Sequence, residues 1–194
     1  MHDAKKIPGC FFFASDVSGA RAVTKLGREI PLFRYEVAVV LGKGEQFELQ
    51  SDQRRREYFR WSERQFLALK GVAAETLNRT AEPSLEANCH GWAFAAGRYG
   101  IKDEYVGGIL TDQGYASVTE PRDGDLAIYW DGDSATHSGI VRLSETGLLR
   151  VQSKWGPFSV FEHFPDAFRY AGAVCAIYRR PEGSHDLTIR MLAS

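Results

Sequence analysis

The chain has 194 residues, 44% of them hydrophobic, enough for one good core or a core with a small appended lobe. The 24 Lys and Arg nearly balance the 25 Asp and Glu, and a formal net charge of -1 excludes a general electrostatic pull toward nucleic acid or anionic lipid. No stretch reaches the ~20 apolar residues of a membrane span. The 3 cysteines, odd in number and without a Cys-x-x-Cys pair, exclude a disulfide framework and argue against a structural zinc site.

In chain order, Cys10 to Ala14 is an apolar run too short for a signal peptide, so a soluble cytoplasmic protein is expected, with signal-independent export open. Strands are predicted over Gly9 to Ala14, Ala20 to Lys25 and Leu32 to Leu41. A turn at Gly42 to Glu45 and a strand from Gln46 to Gln50 follow. Ser51-Asp52 caps a helix from Gln53 to Lys70, with Tyr58, Trp61, Phe66 and Leu69 near helical spacing and Gly71 to end it. Arg54, Arg55, Arg56, Arg60 and Arg64, interleaved with Glu57 and Glu63, read as a solvated helix face rather than a phosphate-binding patch.

Ala74 to Ala87 reads as a connection broken by Pro83. Asn88 caps a helix from Cys89 to Tyr99, and Gly107 to Leu110 belongs to a second short helix closed by Gly114. After a tight turn over Pro121 to Asp125, strands are predicted over Leu126 to Trp130, His137 to Leu143, Leu148 to Ser153 and Ala173 to Arg179. A cysteine helix followed by antiparallel strands is an α+β arrangement. Division into a β-rich lobe over 1–80 and a second unit over 81–194 is expected.

Cys10 and Cys175 lie in apolar runs and read as small buried hydrophobes. Cys89 differs. In the first turn of a helix, unpaired N–H groups and the helix dipole favour the thiolate, which is the nucleophilic form. Gly91 allows close approach, and Trp92 and Phe94 anchor the helix. A thiol needs a base, and imidazole titrates in the right range. Of the 5 histidines, His2 and His185 read as tail residues. His90 neighbours Cys89 on a helix and is expected to face elsewhere. That leaves His137 and His163. Gln152 and Ser153 alternate faces on the next strand, so one of them can orient His137. Lys154 could hold a substrate carboxylate or be solvated, and His163, among Phe161, Phe164 and Phe168, could edge a cleft or pack. A zinc site from Cys89, His137 and His163 is a minor alternative.

The ordered set Asn88-Cys89, Gly124-Asp125-Leu126-Ala127-Ile128-Tyr129 and His137-Ser138-Gly139-Ile140-Val141 resembles the NlpC-type and CHAP-type branches of the papain-like superfamily. Asn88-Cys89-His90-Gly91-Trp92, Gly124-Asp125 and Ser153-Lys154-Trp155-Gly156, followed by His163, resemble a bacterial group within it. The likeness covers about Leu85 to Tyr178. It implies a papain-like core with the cysteine helix on an antiparallel sheet, a nucleophile at Cys89, a base at His137 and an orienter at Gln152 or Ser153. Asn88, Trp92, Lys154, Trp155 and His163 would border the oxyanion or substrate. NlpC-type enzymes commonly carry Asp-Cys-Ser where this chain has Asn88-Cys89-His90, and their third residue is often His. The implied activity is a cofactor-free, metal-free cysteine peptidase or amidase acting on a peptide, protein or peptidoglycan-like substrate. An acyltransferase or deamidase with the same dyad, and a non-catalytic binding module, are the alternatives. The N-terminal lobe could cover the cleft or contact a protein partner.

Overall fold

The computed structural model describes residues 9–40, 52–167, 173–180 and 187–191; of 9–11, 37–40, 52–56 and 74 only the backbone is described. The predicted turn over Gly42 to Glu45, the strand from Gln46 to Gln50 and Phe168 lie outside these residues. So do the side chains of Cys10, Arg54, Arg55 and Arg56.

The fold is α+β with antiparallel sheets. The first two predicted strands are one, β1 (Gly9–Val23), antiparallel to β2 (Glu29–Val40). Their register shifts between Asp16 and Arg21, where Gly19 adopts φ 74°, so the irregularity that read as a break is a bulge within one strand. β10 (Thr188–Met191) pairs with β1 and completes a 3-stranded sheet.

Helix α1 (Asp52–Leu69) lies within a residue of its predicted bounds, and Gly71 at φ 66° follows it. Leu69 is exposed, and Phe59 and Leu67 carry the buried stripe. Glu63 does not face solvent as expected. It is fully buried, accepts from the Ser159 N–H at 2.8 Å and pairs with Arg79. Arg60 meets Glu82 on the surface at 3.0 Å.

The larger sheet has 7 strands in the order β3-β8-β7-β6-β5-β9-β4. They are β3 (Asn78–Ala81), β4 (Ala116–Val118), β5 (Leu126–Asp131), β6 (Ser134–Leu143), β7 (Leu149–Lys154), β8 (Val160–His163) and β9 (Val174–Arg179). Its pairings are all antiparallel. Side chains alternate between faces, and both faces are covered, which explains why Leu126, Ala127, Ile128 and Tyr129 are buried in succession. Leu126, Ile128 and Ile140 join α2 (Cys89–Phe94), α3 (Val106–Gln113) and the hairpin residues Ala22, Ile30 and Leu32 in one core. Ala127, Tyr129, Val141 and Val151 pack on the other side with Leu67 of α1. Each such large side chain contributes about 1.5–3 kcal/mol of burial.

The expected boundary at residue 80 falls inside β3, and the β1–β2 hairpin shares its core with α2 and α3. Its turn is clamped to the end of α3. Asp112 accepts from Thr24 Oγ1 at 2.9 Å and from Arg28 Nε at 2.6 Å, and Gln113 accepts from the Lys25 N–H at 2.9 Å. Among the described residues, no helix is long and apolar enough to cross a membrane.

Candidate functional site

The site is built around the start of α2. Asn88 is its N-cap, with Oδ1 accepting from the Gly91 N–H at 2.9 Å and the Ile101 N–H at 3.1 Å. Asn88 Nδ2 donates to the Ile101 carbonyl at 2.7 Å. The amide is thus held against the Ile101 backbone, with one Nδ2 hydrogen engaged by its carbonyl. The helix is also shorter than the predicted Cys89 to Tyr99. Ala96 and Gly97 take φ 51° and 71°, turning the chain back so that Gly100 exchanges backbone hydrogen bonds with Phe33 of β2. Gly91 is required by that return, because a Cβ there would lie 1.6 Å from the Tyr99 carbonyl oxygen. Trp92 is half-buried against the core.

Cys89 is 7% exposed, but its surroundings are polar rather than a sealed apolar interior. Its thiol hydrogen-bonds with His137 of β6 and with His90. Burial pushes the thiol up, yet the charges of His90 and His137 and hydrogen bonding outweigh it and hold Cys89 well below the usual thiol range. The His137 ring packs among three others, with centroids at 5.5 Å (Tyr129), 6.1 Å (Trp155) and 6.4 Å (His163).

His90, set aside in the sequence because adjacent helical residues do not face each other, belongs to the site. It is fully buried, with Nδ1 2.8 Å from Ser138 Oγ and Nε2 3.1 Å from Asp103 Oδ1. Burial alone would lower it, but the Cys89 thiolate and Asp103 raise it to about 10. Adjacent positions in the first turn, closed over by β6 and the turn Asp103–Tyr105, both reach polar groups at the same end of the helix. A histidine beside a cysteine, with serine following the other candidate histidine, was the available signal.

Strand register separates the orienter candidates. Gln152 pairs with Ile140 and turns its amide outward, accepting from Arg142 at 3.0 and 3.1 Å and donating to Thr80 at 3.0 Å. It does not orient His137. Ser153 lies on the buried face with Val151, where its hydroxyl bonds His163 Nε2 at 2.8 Å and accepts from Trp155 Nε1 at 3.0 Å. His163 Nδ1 donates to the Phe164 carbonyl at 2.8 Å, so Nε2 accepts and Ser153 is the donor. Burial lowers His163 to about 4 and keeps it neutral. It packs instead of edging a cleft, and its occupied ring nitrogens are unsuited to the zinc alternative. Among the described residues, no cluster of three His, Cys, Asp or Glu is arranged to hold a metal.

Lys154 is neither solvated nor exposed to a substrate. It is 2% exposed and donates to the carbonyls of Ser84, Gly156 and Phe158 at 2.8, 2.8 and 2.7 Å. Burial pulls it down to about 7, against the opposing charges of Cys89, Glu63 and Glu86. Trp155 is equally buried and fills the core beside His137 and His163. Asp125 of the Gly124 turn is held by Arg179, at 2.9 and 2.6 Å, and by the Arg122 N–H at 2.7 Å, which fixes the entry to β5.

No family model, curated protein or solved structure matches this chain.

Proposed function

We propose that the protein is a cysteine-dependent hydrolase of the papain-like kind, a peptidase or amidase in which Cys89 attacks a peptide or isopeptide carbonyl. The observation that carries this reading is that the Cys89 thiol, at the start of α2, is met by His137 of β6 and by His90 through charge and hydrogen bonding. A thiol whose ionisation two histidines favour is a ready nucleophile. The thiol proton passes to His137, and sulfur adds to the carbonyl carbon. The developing oxyanion meets the Cys89 N–H in the first turn of α2. His137 then gives its proton to the leaving amine as the C–N bond breaks. Water, losing a proton to His137, adds to the thioester, and collapse of that adduct releases acid and thiolate.

The low exposure of Cys89 favours a second reading, in which an amine replaces water and the reaction is acyl transfer. Products formed with and without added amine distinguish the two.

The test compares wild type, Cys89→Ala and His137→Ala on peptidoglycan and on a cell-lysate protein mixture, reading products by mass spectrometry. Cys89→Ala is expected to abolish turnover, and His137→Ala to lower it by about 10²- to 10⁴-fold. Turnover that survives in Cys89→Ala ends the nucleophile assignment.

A further inference from the structure

We infer that His90 is a fixed cationic partner of the Cys89 thiolate, held in place by Asp103 and Ser138. The inference rests on the reading of Cys89 as nucleophile. It adds a second histidine, anchored by its own partners, beside the same sulfur.

The geometry distinguishes the rings. Besides its hydrogen bond with the thiol, His90 has both nitrogens anchored, Nδ1 to Ser138 Oγ at 2.8 Å and Nε2 to Asp103 Oδ1 at 3.1 Å. A carboxylate only accepts, so Nε2 carries hydrogen; in the imidazolium Nδ1 also donates, and Ser138 Oγ can accept. A ring tied at both nitrogens and fully buried cannot swing between sulfur and a leaving group. It can hold a charge beside the sulfur throughout the cycle. His137 shares the hydrogen bonding to the thiol, but its ring lies on β6 among those of Tyr129, Trp155 and His163.

The other charges around the pair do not supply this role. Lys154 of β7 feels Cys89, but its ammonium is held by three carbonyls and also answers to Glu63 of α1 and Glu86. His163 of β8 is neutral. Asp103 is the anionic group bonded to His90, and its side chain is 56% exposed, so solvent screens much of its charge. Asp103 therefore acts mainly as a positioning residue, and the thiolate is the larger part of what keeps His90 charged.

The experiment is the rate of Cys89 alkylation by iodoacetamide from pH 4 to pH 10, which needs no substrate. It uses the full-length wild type, His90→Gln, Asp103→Asn and His137→Gln, with circular dichroism to verify folding. His90→Gln is expected to move the thiolate midpoint up by at least about one pH unit, a tenfold slower alkylation on the acid limb. Asp103→Asn, a surface carboxylate change that spares the core, should slow the acid limb about two- to threefold. His137→Gln should keep a depressed midpoint while losing turnover. Profiles of His90→Gln and Asp103→Asn that coincide with wild type would overturn the inference, as would a His137→Gln midpoint returned to that of a free thiol. Retained turnover in Cys89→Ala would instead sink the hydrolase reading and leave the alkylation result to decide the His90 question.

Discussion

Cys89 and Cys175 are both free thiols, yet their environments drive them in opposite directions. Cys89 is the more buried, at the head of α2, and two histidines hold it well below the usual thiol range. Cys175 is half-buried on β9, paired in register with Tyr129 of β5. Burial raises it to about 11, and a hydrogen bond from Tyr129 only partly offsets that. Desolvation acts on both. What separates them is whether cations stand within reach, so exposure by itself is a poor guide to thiol reactivity.

The comparison makes a measurable claim, because access and ionisation rank the two thiols oppositely. At pH 7 a thiol titrating at about 11 is thiolate in only about one molecule in ten thousand. A low-titrating thiolate is intrinsically less nucleophilic, which returns roughly half of that advantage on a logarithmic scale. Iodoacetamide at pH 7, with peptide mapping, should therefore label Cys89 about a hundredfold faster than Cys175. The more exposed Cys175 reacting first would break the comparison.

The polar setting of Cys89 depends on backbone passing close to α2, and two substitutions probe it. Gly91→Ala drives a methyl into the Tyr99 carbonyl, which backbone must move to relieve. It should cost about 3 kcal/mol in urea unfolding, at the top of the usual range for overpacking. Lys154→Met leaves the Ser84, Gly156 and Phe158 carbonyls without their donor, at roughly 2–3 kcal/mol. It should also change the pH dependence of stability. Burial lowers Lys154 from 10.5 to about 7 in the folded protein, so between those values the unfolded chain holds a proton the folded one has released. Stability then rises with pH across that window, and the variant should lose the rise. An unchanged slope would argue that the three carbonyls keep the ammonium charged.

These residues also mark what the sequence makes legible. Local chemistry reads well: the α1 span, the Asn88 cap, the Gly114 stop and the Gly124 turn follow from residue types within a few positions. Alternation along β7 puts Ser153 with Val151, but the partners of the two candidates, His163 and Trp155 for Ser153 and Arg142 and Thr80 for Gln152, awaited the register with β6 and β8. Lys154 reads as solvated because lysine usually is, and its acceptors come from a loop 70 positions away and from the turn ahead. The end of α2 is invisible for the same reason, since it is set by Gly100 meeting Phe33. His90 reads as facing elsewhere because the rule for neighbouring helical residues describes a helix surface, whereas here the first turn is enclosed by β6 and Asp103.

The finest test of the comparison is Tyr129→Phe, since Tyr129 touches both sides of it. Its hydroxyl bonds Cys175, and its ring lies 5.5 Å from the His137 ring. Removing the hydroxyl takes away a group that favours the Cys175 thiolate, so that thiol should titrate higher still and alkylate about threefold more slowly at pH 9. The ring remains, so the packing around His137 is kept, and the Cys89 profile should stay within twofold of wild type. A parallel shift at Cys89 would mean that the two thiols report one shared electrostatic environment, and their contrast would then lie in exposure after all.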